Sequence, residues 1–133
     1  VRYGDLDPQW HVNNARFLSF IEHARMNYLM EVGMFDGHSF WDLPLIVGDI
    51  HVRYLKPIEM TDKVVVSIGV TRIGTKSVLL ECEITGEGGD PLFATAENTL
   101  VAYDYRTKSA VPVPDEMRAQ FERYEGKSFR KGE

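Results

Sequence analysis

The polar residues that could do chemistry are concentrated in one stretch near the start of the chain, residues 3–14. A long helical pattern follows it directly. The first turn of a helix carries N–H groups without intrahelical partners and a dipole that favours negative charge. A carboxylate on the entering loop could act on the same carbon whose developing oxyanion those amides stabilise, an arrangement that suits acyl transfer. The stretch holds two aspartates, one histidine and two asparagines: Asp5, Asp7, His11, Asn13 and Asn14.

The same residue types also form purely local hydrogen bonds. Aspartate and asparagine side chains close Asx-turns. Asn13 is well suited to cap a helix, because its side chain can accept a hydrogen bond from a free N–H of the first turn. Residue types and spacing alone are consistent both with a catalytic cluster and with a turn followed by a helix cap.

The helix that would position this stretch is predicted by apolar residues at helical spacing. No proline or glycine interrupts the chain between Asn14 and Val32, and Gly33 marks the C-terminal end. At 1.5 Å per residue, such a helix is roughly 30 Å long. The apolar positions are Phe17, Phe20, Ile21, Ala24, Tyr28, Leu29 and Val32.

The rest of the chain is mostly alternating runs that predict antiparallel strands joined by short turns. The first run starts at Ile46 and ends at Lys56-Pro57, and the others cover residues 64–71, 78–85 and 92–105, with turns at 73–75 and 86–91. One face of the first run carries Ile46, Ile50, Val52 and Tyr54. Strands of about ten residues span roughly 33 Å, which matches the helix. We therefore expect an α+β fold in which a twisted sheet wraps one long helix.

Two segments lie outside this pattern. Residues 34–44, with the large aromatics Phe40 and Trp41, are expected to form a loop with a short helical turn. Residues 114–124 are expected to form a charged C-terminal helix that starts near Pro114.

Length, charge and cysteine content exclude several classes of protein. The 133 residues fit one domain, residues 1–133, and a net charge of −5 disfavours nucleic-acid binding. The apolar runs are shorter than the ~18–20 residues of a membrane-spanning helix, and no signal peptide is visible, so a cytoplasmic protein is expected. Cys82, the single cysteine, is expected to be a buried, inert thiol. His23 and His51 lack the partners of a zinc site, so no metal is expected.

The motif around Asp7 resembles the 4-hydroxybenzoyl-CoA thioesterase-like family of hotdog proteins. The specific part is Asp-x-Asp at residues 5–7, followed by His-Val-Asn-Asn at residues 11–14 directly before a long helix. Weaker similarity continues in later segments, and the resemblance covers roughly the first 105 residues. The later segments are residues 22–25, 53–57, 73–77 and 94–96.

The resemblance implies an antiparallel sheet around a central helix, and homodimers or homotetramers with the active site at the subunit boundary. It implies an acyl-coenzyme A substrate and no cofactor besides the coenzyme A of that substrate. Asp7 matches the family's catalytic aspartate, as nucleophile or as general base for water. The backbone N–H of Asn14 matches the donor that polarises the thioester carbonyl. Trp10 stands where the family commonly has glycine, so it could fill part of the acyl pocket or line its mouth.

Four residues are assigned to substrate binding: Trp10, His11, Asn13 and Glu22. His11 could hydrogen-bond Asp7 or the substrate, act as an acid, or be a structural histidine. Glu22 could face the substrate cavity or an interface, or it could pair with Arg25 on the helix surface.

Coenzyme A carries phosphates that need cations or free N–H groups. Lys56, Arg72 and Lys76 lie at predicted strand ends or turns, and Ser77 could add a hydroxyl. Each of these residues could equally be a solvated surface residue. Their common location at strand ends is what favours a coenzyme A site.

Two other functions are open at this level. A thioesterase for an acyl-carrier protein would use the same chemistry, but it would favour a basic patch, which the acidic composition opposes. A non-catalytic acyl-CoA-binding module would not need the intact Asp7 and helix start. A hydratase of the same fold would carry its acid and base in a motif that we do not find.

Overall fold

The computed structural model describes residues 14–33, 45–59 and 61–129 of the chain. In this part of the chain, one long helix is followed by antiparallel strands and a short helix. The elements are α1 (Asn14–Val32), β1 (Leu45–Tyr54), β2 (Val64–Ile73), β3 (Ser77–Gly86), β4 (Leu92–Asp104), β5 (Ser109–Ala110) and α2 (Asp115–Glu125).

The helix α1 has the bounds that the sequence predicts, from Asn14 to Val32. It ends because Gly33 adopts a φ of +95°, a conformation that L side chains rarely adopt and glycine tolerates. The N–H of Gly33 donates to the carbonyl of Met30 at 3.1 Å. This bond satisfies one of the carbonyls that the last turn of a helix leaves open.

The strands form a five-stranded antiparallel sheet with the order β1-β4-β3-β2, and β5 pairs with β4. The α+β class predicted from the sequence is confirmed. The turn between β2 and β3 lies at residues 74–76, and a short 3-10 helix, Glu87–Gly89, joins β3 towards β4. These are the positions where glycine-containing turns are predicted.

The alternation of β1 is interrupted by a bulge. The register with β4 shifts between Val47 and Asp49, so inward and outward positions exchange at that point. The sequence predicts that Ile46 shares a face with Ile50 and Val52, but the buried residue at this end is Leu45, which is 3% exposed. Ile46 is only half-buried.

The core consists of two clusters along α1. The Phe17 cluster lies under the N-terminal half of the helix, and the Tyr28 cluster lies under its C-terminal half. The first contains Phe17, Ile21, Ile58, Cys82, Ile84, Phe93, Ala94 and Ala96. The second includes Tyr28, Leu29, Leu45, Val70, Ile73, Leu80, Leu100, Met117 and Phe121. The sheet therefore packs along the full length of the helix, as the matching lengths predict.

The C-terminal helix α2 closes the Tyr28 cluster. Its bounds, Asp115–Glu125, confirm the predicted helix, and Met117 and Phe121 are its buried residues. Arg118 fixes it to the turn after β2, donating from Nη2 to the carbonyl of Gly74 at 2.9 Å. Because this cluster lies under the C-terminal half of α1, α2 packs at the end of the molecule away from Asn14. No helix in the described part of the chain is long and apolar enough to span a membrane.

Candidate active site

The start of α1 is the part of the predicted site that the structure describes. Asn14 is the first residue of the helix, so the backbone amides of its first turn lack intrahelical acceptors. Four residues assigned to catalysis or substrate binding lie outside the described residues: Asp7, Trp10, His11 and Asn13. Their roles stay predictions, as does the loop containing Phe40 and Trp41.

Aromatic packing fixes the first turn of α1 on the sheet. Phe17, three residues after Asn14, is 2% exposed. Its ring lies edge-to-face with Tyr54, with centroids 5.1 Å apart and an angle of 86° between the planes. Phe20 also approaches Phe17, at 6.4 Å between centroids. The helix start is therefore anchored where β1 ends, and its amides are held in place.

Lys56 lies at the same end of the sheet as the helix start. The N–H groups of Leu55 and Lys56 both donate to the carbonyl of Phe93, at 2.8 and 3.1 Å. Phe93 belongs to the Phe17 cluster, and the Lys56 side chain is exposed. The backbone of Lys56 is thus fixed at the end of β1 that packs against the first turn of α1, and its role in binding coenzyme A stays a prediction.

The other three residues assigned to coenzyme A lie at the opposite end of the sheet. Tyr54 pairs with Ala94 on β4, whereas Ser77 pairs with Val101. These β4 positions are seven residues apart, about 23 Å at 3.3 Å per residue. Arg72 and Lys76 are exposed and Ser77 is half-buried. Within one chain, the structure therefore separates Arg72, Lys76 and Ser77 from Lys56.

Arg25 is buried between α1 and the sheet. It is 9% exposed and donates from Nη1 to Oδ1 of Asn98 at 2.8 Å. Burial lowers the pKa of Arg25, and the charge of Glu22 partly offsets that effect. Glu22 itself is exposed. Arg25 is therefore not at the helix surface, and its side chain bonds Asn98 while the charge of Glu22 still acts on it.

The sequence carried a signal for the burial of Arg25 that the prediction missed. Position 25 is four residues after Ile21 and four before Leu29, so it lies on the apolar side of α1. Both neighbours are buried, at 0% and 1% exposure. The partner, Asn98, is 73 positions further along the chain, and no local pattern identifies it.

Cys82 is buried, as predicted. Its Sγ accepts a hydrogen bond from Nδ2 of Asn98 at 3.8 Å. Burial raises the pKa of the Cys82 thiol, so the reactive thiolate is disfavoured.

The histidine on β1, His51, contacts Asp49 at 2.9 Å between Nε2 and Oδ2. Among the described residues, no three histidine, cysteine, aspartate or glutamate side chains are grouped to hold a metal ion.

A large surface concavity among the described residues does not coincide with the helix start. It lies across strands β1 to β4 on the face turned away from α1 and has a volume of about 970 Å³. Its lining includes three carboxylates and one arginine: Glu81, Glu83, Glu97 and Arg53. This excess of negative charge repels the phosphates of coenzyme A, so we do not assign the substrate to it.

A narrower groove of about 470 Å³ runs between α1 and β2. Its floor is apolar, with Phe20, Val64 and Val66, and its far end is at Tyr124 of α2. It opens on the side of α1 opposite to β1, and Lys56 does not line it. The helix start instead packs against the end of β1, where Tyr54 contacts Phe17.

Comparison with known proteins gives consistent matches over most of the chain. Residues 1–121 match the model of the thioesterase-like superfamily. The chain is 31% identical over 122 residues to the long-chain acyl-CoA thioesterase FadM of Escherichia coli, covering 92% of each chain. It is 29% identical over 121 residues to the 1,4-dihydroxy-2-naphthoyl-CoA hydrolase of Thermosynechococcus vestitus, covering 90% of this chain and 82% of that one.

Solved structures give a similar result. A thioesterase from Thermus thermophilus, complexed with coenzyme A and Zn, superposes with a TM-score of 0.82 at 32% identity. The match covers 96% of this chain and 91% of that chain. A probable thioesterase from Escherichia coli, YbaW, superposes with a TM-score of 0.77 at 30% identity, covering 92% of both chains.

Proposed function

The chain belongs to the thioesterase-like superfamily, has the hotdog fold and is a thioester hydrolase, and from this premise we propose that it cleaves an acyl-coenzyme A with Asp7 as the catalytic carboxylate. The products are a free acid and coenzyme A. The relatives support coenzyme A over an acyl-carrier protein, because the two similar enzymes named above both act on a CoA thioester. The proposed chemistry needs no cofactor or metal.

In the proposed mechanism, the thioester carbonyl oxygen accepts a hydrogen bond from the backbone N–H of Asn14. Asp7 either attacks the carbonyl carbon, forming an anhydride that water then hydrolyses, or takes a proton from the water that attacks. The thiolate of coenzyme A leaves without needing a strong general acid. The amide stabilises the oxyanion in the transition state, and the helix dipole adds to that stabilisation.

One observation carries this proposal. The helix begins at Asn14, which is the last residue of the His-Val-Asn-Asn motif and follows the Asp-x-Asp motif in the chain. Phe17 and Tyr54 pack the first turn of this helix on the sheet. A fixed amide costs no reorganisation at the moment of reaction. Trp10, His11, Asn13 and Glu22 are proposed to bind the substrate.

The test is thiol release from a panel of acyl-coenzyme A substrates that includes long-chain and aromatic acyl groups. Asp7→Asn is expected to lower kcat at least a hundredfold, on the order of the loss of a nucleophile or general base, while the melting temperature stays close to that of the wild type. Asp5→Asn is the matched control, since it removes a carboxylate from the same loop and is expected to cost much less. Wild-type turnover by Asp7→Asn would overturn the mechanism.

A dimer is part of the proposal. In the described sheet β1 is a terminal strand, and an edge strand presents unpaired N–H and C=O groups that another strand can pair with. Val47 on β1 is an exposed apolar side chain. A two-fold axis beside β1 would pair two such edges antiparallel and continue the sheet into the partner.

This pairing would also bring the residues assigned to coenzyme A to the same end of the combined sheet. An antiparallel dimer reverses the second sheet, which brings its β2–β3 turn towards the end that holds Lys56 of the first chain. Arg72, Lys76 and Ser77 from one chain would then bind the phosphates of a substrate whose thioester lies on the other. Light scattering after gel filtration tests the dimer. Val47→Glu is expected to weaken it and to raise KM for acyl-coenzyme A, whereas Val65→Glu, on β2, is the control.

A further inference from the structure

Tyr54 places an exposed aromatic ring beside the proposed reaction centre. It is the last residue of β1, and its ring packs edge-to-face on Phe17 with 5.1 Å between centroids. Phe17 is three residues after Asn14, less than one turn of a helix. The Tyr54 ring therefore lies close to the amides that open α1.

Tyr54 is much more exposed to solvent than the Phe17 ring that it contacts. Phe17 is 2% exposed, whereas Tyr54 is 43% exposed. Leu55, the next residue, is also an exposed apolar side chain. Apolar surface of Tyr54 is thus presented beside the first turn of α1, at the strand end that Leu55 and Lys56 follow in the chain.

Leu18 adds apolar surface from the helix. Leu18, Glu22 and Arg25 are spaced four and three residues apart, so they share one side of α1. Arg25 bonds Asn98 of β4, which is the strand next to β1. The side of α1 that carries the exposed Leu18 therefore faces the same strands as Tyr54.

We propose that Tyr54 is a specificity-determining residue that forms, together with Leu18, the wall of the acyl pocket next to the thioester. This inference rests on the proposed function, because that function places the thioester at the start of α1. Acyl carbons beyond the carbonyl gain free energy when they are buried against an aromatic ring. An acetyl group has a single carbon beyond the carbonyl and so gains little from this burial. Tyr54 therefore favours larger acyl groups over acetyl.

The test compares selectivity in two variants, using kcat/KM for acetyl-, benzoyl- and palmitoyl-coenzyme A. Tyr54→Ala is expected to lower the benzoyl-to-acetyl and palmitoyl-to-acetyl ratios roughly tenfold. Tyr54→Phe keeps the ring and is expected to keep both ratios. Ratios are used because a structural defect that reduces the folded fraction lowers all three values equally.

Tyr124 provides a matched control for position. It is 47% exposed and belongs to α2, and its hydroxyl donates to Oε2 of Glu31 at 2.6 Å near the C-terminal end of α1. Tyr124→Ala removes a ring of the same size and similar exposure without touching the helix start, so its ratios should equal those of the wild type. Unchanged ratios in Tyr54→Ala, or an equal change in Tyr124→Ala, would overturn the proposal. So would a change of oligomeric state in Tyr54→Ala with both ratios intact.

The same panel separates this inference from the proposed function. If the wild type releases thiol and Tyr54→Ala has the same selectivity as the wild type, the protein is an acyl-coenzyme A thioesterase as proposed. The role of Tyr54 in selecting the acyl group is then rejected. If the wild type releases no thiol from any substrate, the function fails. Calorimetric binding of the three acyl-coenzyme A molecules then decides the inference. It is supported if Tyr54→Ala loses affinity selectively for the benzoyl and palmitoyl compounds, and rejected otherwise.

Discussion

Arg25 and Asn98 join the middle of α1 to β4 through a hydrogen bond of 2.8 Å from Nη1 to Oδ1 in the protein interior. Asn98 is fully buried, and its Nδ2 contacts Sγ of Cys82. A buried charge is costly unless it is hydrogen-bonded. The pair therefore restricts how the helix can shift along the sheet, which keeps the helix start where β1 ends.

Replacing Asn98, the acceptor, should lower the stability of the protein more than replacing both Asn98 and Arg25. Asn98→Leu leaves the Arg25 guanidinium facing apolar atoms, and we expect the free energy of unfolding to fall by about 2–4 kcal/mol. Adding Arg25→Met to that variant removes the stranded charge and should recover part of the loss. Urea denaturation measures both changes. Arg106→Met is the control, since its side chain is 93% exposed. A double variant less stable than Asn98→Leu alone would contradict this account.

The sequence predicts helices and strands well where one spacing of apolar residues, helical or alternating, continues without interruption. Val78, Leu80, Cys82 and Ile84 alternate through β3, and all four are buried. The bounds of α1 follow from its apolar spacing and from Gly33. In β1 the alternation breaks at the bulge, where a Cβ on Gly48 would lie 2.9 Å from Cγ2 of Val101. This close approach depends on a strand more than 50 residues away, so the local pattern does not reveal it.

The candidate site is less predictable because its parts come together only through the topology. Lys56 and Lys76 both follow or precede strands in the sequence, and nothing local indicates that they occupy opposite ends of the sheet. That separation follows from the register of β4 with β1 and with β3. Arg25 likewise gains its role from a partner on β4. The helix start, in contrast, is a local feature, and its position at Asn14 is predicted correctly.

Tyr28 should make the protein less stable at alkaline pH. Burial, followed by the hydrogen bond to Glu125, raises the pKa of Tyr28 above its usual value; the hydroxyl donates to Oε2 at 2.6 Å. Above the pKa of about 10 in the unfolded chain, the unfolded state releases this proton while the folded state retains it. Stability therefore falls as the pH rises past 10.

The measurement is the urea midpoint of the wild type and of Tyr28→Phe between pH 8 and pH 11. The variant should be less stable at pH 8, because it loses the bond to Glu125, and the difference should shrink at higher pH. Tyr103→Phe serves as the control for general alkaline effects. Parallel curves for the wild type and Tyr28→Phe would show that Tyr28 does not contribute to the alkaline loss.

Cys82 should be unreactive in the native protein. Its burial and raised pKa disfavour the thiolate that reacts with disulfide reagents. We expect the folded protein to release no colour with a colorimetric thiol reagent over the time of an assay, and one equivalent per chain in urea. Alkylation of the native protein should leave turnover intact. Rapid native reaction, or loss of turnover on alkylation, would show that Cys82 is accessible.

Phe17 and Phe121 are buried against opposite ends of α1. Variants of these two residues can therefore separate an effect on stability from an effect on catalysis. Phe17 and Phe121 are 2% and 0% exposed, so Phe17→Leu and Phe121→Leu should each lower the free energy of unfolding by about 1–3 kcal/mol. Only Phe17 packs under the first turn of α1. Because small misplacements of reacting groups can reduce rates by large factors, Phe17→Leu should also lower kcat, by roughly tenfold.

The comparison requires kcat at a temperature where circular dichroism shows both variants to be fully folded. Phe121 packs on Tyr28, with 6.4 Å between ring centroids, and contacts the part of the helix away from Asn14. Phe121→Leu should therefore keep the wild-type kcat despite its lower melting temperature. An equal loss of kcat in both variants would mean that turnover follows overall stability. It would then no longer support the first turn of α1 as the place of reaction.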